Sequence, residues 1–115
     1  MTSEYKTLTS IQQEIDDYIN QYKVGYFGPL TQMARLTEEL GELAREVTHH
    51  YGEKEKKSTE ASASVEEELG DLVIAAIIMA NSLNIDLSQV IETNMIKFRQ
   101  RDKYRFERKD GMTND

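Results

Sequence analysis

The sequence predicts an all-α protein, an antiparallel four-helix bundle-like fold, and three observations predict it. Apolar residues recur every three or four positions, as in Leu8, Ile11, Ile15, Tyr18, Ile19 and Tyr22 or in Leu36, Leu40, Leu43 and Val47; this is the period of a helix face, not of a strand. Breaks are scarce, with one proline and six glycines, where an all-β chain needs many turns. With 115 residues, 38% of them hydrophobic, the chain holds three or four helices around one core and leaves no room for a second. A single domain over 1–115 is expected, folded over about 7–108 with disordered ends.

The first helix begins among threonines and serines suited to capping and should end near Gly25. "GYFGPL" breaks the pattern and sets Pro29 at the first turn of a second helix, which should run to about His49 with Gly52 as its stop. Gly52 to Ser64 is charged, then small and polar, and reads as an exposed loop. Ser64 with Glu67 has the form of a capping box, opening a third helix to about Ser82. A fourth should start near Asp86 and run to about Tyr104, with disorder from Gly111.

Composition excludes several chemistries. There is no cysteine, hence no disulfide framework, thiolate metal site or cysteine nucleophile. The longest apolar run, Leu72 to Ala80, is far short of the roughly 20 residues that cross a bilayer, and the polar N-terminus lacks a signal-peptide pattern; a cytoplasmic protein without a membrane partner is expected. A formal charge of −7 disfavours nucleic acid, whose phosphates it repels. Seven of the 14 basic residues lie between Lys97 and Lys109, so the last helix is a source of cations for an acidic middle.

The carboxylates of that middle carry the functional signal. At about 100° per residue, Glu39 and Glu42 fall on one flank of the stripe formed by Leu36, Leu40, Leu43 and Val47. In the third helix Val65, Leu72, Ala75 and Met79 form the inward stripe, with Glu68 inside it and Asp71 beside it. That helix is apolar on every side from Leu72 to Ala80, so its neighbouring acids should be partly shielded, where gathered charge needs a cation. If the two helices are antiparallel, Glu42 and Asp71 each stand roughly 10 Å from the helix end at the connecting loop, which brings both pairs to one level. A lone Glu-x-x-Glu ordinarily marks a solvated face. Two facing pairs without thiolates suit a hard cation, Mg²⁺ first and Mn²⁺ second.

On the fourth helix Val90, Asn94, Lys97 and Arg101 share one sector. Taken alone, Lys97 and Arg101 are as well explained by snorkelling or by pairing with bundle carboxylates. Beside a carboxylate-bound metal they suit phosphate oxygens.

At these residues the sequence resembles the MazG-like nucleoside triphosphate pyrophosphohydrolases, the all-α superfamily that includes dimeric dUTPases and phosphoribosyl-ATP pyrophosphatases, and within it the short, single-domain YpjD type. Glu38, Glu39 and Glu42 match the family's E-E-x-x-E, and Glu68 and Asp71 its E-x-x-D; Asn94 and Lys97 match its phosphate-contacting pair. The likeness covers Leu8 to Arg101. It implies hydrolysis of an NTP or dNTP between the α and β phosphates, with Glu39, Glu42, Glu68 and Asp71 as Mg²⁺ ligands. Glu38 is then assigned to a second ion or to the attacking water, and Lys97 and Arg101 to the leaving pyrophosphate. It further implies that subunits pair to complete the bundle, and the all-round apolar third helix argues the same from one copy's shortage of cover; a homodimer or homotetramer is expected.

Other readings are open to the residues. Tyr22, Tyr26 and Phe27 can stack on a base, though aromatic residues at such a junction are more often core. Glu46-x-x-His49 has the form of half a di-iron site, but ferritin-like sites need that motif on two helices and one is present. A helical module that binds nucleotide or metal without cleaving, or a dUTPase or phosphoribosyl-ATP pyrophosphatase activity, are the alternatives.

Overall fold

Each helix starts where the chain offers its first turn an acceptor or a proline. Thr7 Oγ1 accepts from Ser10 N at 3.0 Å, Ser64 Oγ from Glu67 N at 2.9 Å, and the Asp86 carboxylate from Ser88 N at 3.1 Å, each satisfying an N–H that has no partner inside its helix. Pro29 opens its helix directly after Gly28 without a side-chain cap. The computed structural model describes residues 5–52 and 64–114, and the described residues form four helices: α1 Leu8–Asn20, α2 Pro29–Tyr51, α3 Val65–Ser82 and α4 Leu87–Arg101. The expected loop falls, from 53 to 63, outside the described residues.

The ends differ from expectation where turns compete with helix. α1 stops five residues before Gly25, in two successive turns closed by Tyr22 N to Ile19 O and Gly25 N to Tyr22 O, both 3.2 Å, with Gly25 at φ +61° where a side chain is disfavoured. α2 continues past His49 to Tyr51 and stops at Gly52, whose N–H reaches Thr48 O. α4 ends at Arg101, short of Tyr104, with Asp102 as its C-cap: its N–H still reaches Phe98 O at 2.9 Å, and its carboxylate accepts from Arg101 Nε at 3.0 Å. The segment beyond, through residue 114, mixes turns with irregular backbone, and in it Arg108 Nη2 meets Asp110 at 2.7 Å.

α3 is the centre of the arrangement. It packs most extensively on α2, less on α1, while α4 rests on α1. Asn81 and Ser82, about 100° apart on the helix, show its two faces. Asn81 exchanges hydrogen bonds with Gln12 of α1 at 2.8 and 2.9 Å, and Ser82 donates to Gln32 of α2 at 2.9 Å. α3 therefore packs on two neighbours through two faces, in keeping with its being apolar on every side from Leu72 to Ala80. Ile77 and Ala80, both 4% exposed, are the buried apolar residues among those described.

Gln32 pairs with the C-terminal end of α3, whereas Glu39 and Glu42 meet its N-terminal Glu68; α2 and α3 are antiparallel, as the carboxylate argument requires. α2 turns the line Gln32, Glu39 and Glu46 toward α3, flanked by Leu36 and Leu43, and leaves Leu40 and Val47 largely exposed. Polar groups thus occupy the middle of a face that the apolar pattern assigns to leucines.

A left-handed Asn84, φ 57°, closes α3. Ile85 N reaches back to Ala80 O at 2.8 Å and Asn84 N to Asn81 O at 3.1 Å, the reversal that commonly ends a helix. The chain then bends by 108° into α4, and Gln12 secures the corner by donating to Ile85 O and accepting from Leu87 N, both at 2.9 Å. No single described helix is long and apolar enough to cross a membrane.

Candidate active site

Antiparallel pairing sets one turn of α2 against the first turns of α3. Carboxylate oxygens of Glu39, Glu42 and Glu68 all lie within 4.8 Å of one another. Glu39 and Glu68 are partly buried, and each hides one oxygen, Oε2, that has no hydrogen-bond partner among the described residues. Such an arrangement is unfavourable for acids alone: solvation is lost and like charges meet. Burial raises the Glu39 carboxyl above its ordinary range, and Glu42, Asp71 and Glu38 add to the rise while Arg35 opposes it. Glu68 is raised in the same direction, first by burial and then by Glu42, which also shares a hydrogen bond with it, and by Asp71 and Glu39. Two orphaned, inward oxygens and a third acid within reach are the donor set of a hard divalent cation, so the residues fit a metal.

The sequence-predicted residues are distributed as follows. Glu39, Glu42 and Glu68 form the cluster. Asp71 is exposed beside it and perturbs two of its members, and Glu38 is exposed on the neighbouring side of α2. Asn94, Lys97 and Arg101 are not brought to this point within one chain, because the bend after α3 carries α4 away. There Lys97 and Arg101 both lie over the Phe98 ring, at 5.3 and 5.1 Å from its centroid, and Arg101 is paired with Asp102.

Beside the carboxylates opens a cavity of about 530 Å³. Glu39 and Asp71 stand at one end; Tyr18, Tyr22 and Phe27 line the other, with Ile74 and Ile78 of α3 between. Tyr22 and Phe27 are 52% and 44% exposed, so at the junction before α2 these rings face the cavity rather than fill a core. Tyr26 is held differently. Its hydroxyl donates to Asp16 Oδ1 at 2.6 Å, and burial with that bond pushes its pKa up to about 12, leaving it an uncharged part of the wall.

Two residues escaped the sequence reading, Gln32 and Arg35, and a third, Glu46, was read only as half of a Glu-x-x-His pair. Gln32 is buried, donating to Phe27 O at 2.6 Å and accepting from Ser82, and so ties the aromatic junction to α3. Glu46 is 1% exposed, on the same face as Glu39 and Glu42, with His50 Nε2 at 3.9 Å. Arg35, one turn before Glu39, also lines the cavity. All three share the face of Glu39, at spacings of four or seven, and that periodicity was the available signal.

Comparison with known proteins converges on one family. The model of the MazG nucleotide pyrophosphohydrolase domain matches residues 27–106, which contain both acidic motifs. The chain is 57% identical over 105 residues to the uncharacterized protein YpjD of Bacillus subtilis (strain 168), covering 91% of this chain and 95% of that protein. A crystal structure of YPJD from Bacillus subtilis superposes with a TM-score of 0.75 at 56% identity over 85% of this chain and 98% of the other. The Bacillus-conserved MazG protein, a nucleotide pyrophosphohydrolase, does so with 0.75 at 55% identity over 88% and 98%. An acidic cluster between two antiparallel helices, beside a cavity of a size ordinary for small ligands, is therefore no isolated feature: this chain belongs to the MazG nucleotide pyrophosphohydrolase domain family, hydrolases of phosphoric anhydrides.

Proposed function

We propose that the protein hydrolyses a nucleoside triphosphate, NTP or dNTP, between its α and β phosphates, releasing a monophosphate and pyrophosphate, with Mg²⁺ as the working ion and Mn²⁺ as a substitute. The observation that carries this reading is the trio of carboxylate oxygens within 4.8 Å, two of its residues hiding an orphaned oxygen and one of them, Glu39, lining an aromatic-walled cavity together with Asp71. Glu39, Glu42 and Glu68, with Asp71 beside them, hold the metal. When bound, it neutralises charge on the phosphates and lowers the pKa of a water.

The chain's own groups do the rest. Tyr22 and Phe27 present ring faces to a base. Glu38, next to the cluster but outside it, orients the attacking water or joins a second ion. Asn94, Lys97 and Arg101 stabilise the leaving pyrophosphate, and they do so in a homodimer or homotetramer, where α4 of one copy covers the site of another. The half-exposed Leu69, Val73 and Ile74 of α3 and Ile91, Met95 and Phe98 of α4 support that assembly, since so much apolar surface is ordinarily covered. The protein acts as one domain, over about 7–108, on free cytoplasmic nucleotides.

The test is incubation with a panel of NTPs and dNTPs and Mg²⁺, resolving all phosphate-containing products. Monophosphate and pyrophosphate in equal amounts are expected, and chelation should stop their release. Diphosphate with orthophosphate would contradict α,β cleavage. No product from any nucleotide would leave a non-catalytic binder.

A further inference from the structure

We propose that Arg35 holds the α-phosphate of the nucleotide, an assignment that rests on reading the cavity as a nucleotide site. α2 sets Arg35 one turn before Glu39 on the same face, so its side chain enters the cavity between the carboxylate end and the aromatic end. A nucleotide with its outer phosphates at the metal ligands and its base on the rings must pass its α-phosphate through that middle section. Arg35 is the one cation lining the cavity among the described residues.

The state of the guanidinium fits the role. Its carbon lies 5.4 Å from the centroid of the Phe27 ring, a contact that positions it without occupying a hydrogen-bond donor. Arg101, Arg105 and Arg108 each pair with an aspartate, whereas Arg35 makes no ion pair among the described residues. Its five donors are open to a tetrahedral anion, which a planar guanidinium takes two oxygens at a time. Phe27 thus serves twice, stacking the base and aiming the cation that grips the adjoining phosphate. In a cavity otherwise edged by Glu39 and Asp71, this is the local charge that lets an anion enter before anything else is exchanged.

Calorimetric titration of the Mg²⁺-loaded protein with AMP, GMP, CMP and UMP, and separately with pyrophosphate, tests this without requiring turnover. Arg35→Gln should weaken the tightest-binding monophosphate by about tenfold to a hundredfold, the worth of a charge-assisted contact, and leave pyrophosphate within about twofold. Arg35→Lys, which keeps the charge and loses the fork, should fall between; it carries the test if the glutamine variant does not fold. Arg45→Gln, exposed on α2 outside the cavity, is the control. Unchanged monophosphate affinity in both Arg35 variants, equal losses for monophosphate and pyrophosphate, or no monophosphate binding by the wild type would each overturn the assignment. A wild type that binds monophosphates but cleaves no triphosphate would instead sink the hydrolase reading and leave Arg35 standing.

Discussion

At the scale of single residues, the cluster makes opposite demands on stability and chemistry. Glu68 contributes an oxygen to the trio and hides another without a partner, so replacing it removes a ligand and a repulsion together. Glu68→Gln and Asp71→Asn are expected to abolish turnover, at least a hundredfold in rate, while the helical circular-dichroism signal is retained; wild-type rates in both would remove them from the mechanism. The metal-free protein should also show the repulsion in its pH dependence. Folding raises the carboxyls of Glu39 and Glu68 above the ordinary 4.5. The folded state therefore binds more protons than the unfolded chain from that value up to the raised ones, and its stability falls as pH climbs through this window. Glu68→Gln should melt higher than the wild type above the window, with the difference closing below pH 4.5. Added Mg²⁺ should stabilise the wild type more than the variant. A melting-temperature gap that ignores pH and metal would show that the two acids do not share a site.

At the scale of elements, caps and corners decide where the site's parts end up. Sequence periodicity and capping residues place the α2 and α3 boundaries within about two residues, since Pro29, Ser64 and Gly52 act through local backbone geometry. The corner after α3 was less legible. Nothing in "NSLNID" announces a bend of 108°, because it depends on the left-handed Asn84 and on Gln12, a residue of α1 that lies outside the apolar pattern. Asn84→Ala should destabilise the protein by about 1 kcal/mol, the penalty of a side chain forced into the left-handed region, and Asn84→Gly should not. Urea unfolding at fixed protein concentration distinguishes them. Equal effects would mean that the corner is held by Gln12 alone.

At the scale of the whole molecule, a single copy is short of interior: Ile77 and Ala80 are the buried apolar side chains among the described residues. Its radius of gyration is 18.8 Å, against about 13 Å for a compact domain of about 100 residues, and Val73 in the apolar middle of α3 is 50% exposed. The described residues of one chain do not surround this helix, since α4 leans on α1 and leaves one side open, the shortage of cover that its all-round apolar pattern anticipates. Val73→Asp is therefore expected to convert an oligomeric wild type to monomers in sedimentation velocity and to lower its helix content. A wild type that sediments as a monomer at micromolar concentration would remove the proposed route by which Lys97 and Arg101 reach the carboxylates.

What the sequence by itself determined is everything that repeats locally. The all-α class, the helix starts and the two acid pairs follow from periods of three and four residues and from caps acting over one turn. The convergence of Glu39, Glu42 and Glu68 could be anticipated because a single antiparallel contact brings them together. Only the tertiary structure decided which polar residues share their cavity, that Arg35 and Gln32 enter it while Lys97 and Arg101 of the same chain do not, and that Glu46 is buried. Those outcomes depend on the rotation of α2 against α3 and on the bend before α4, both set by contacts between residues distant in the chain, which no local pattern encodes.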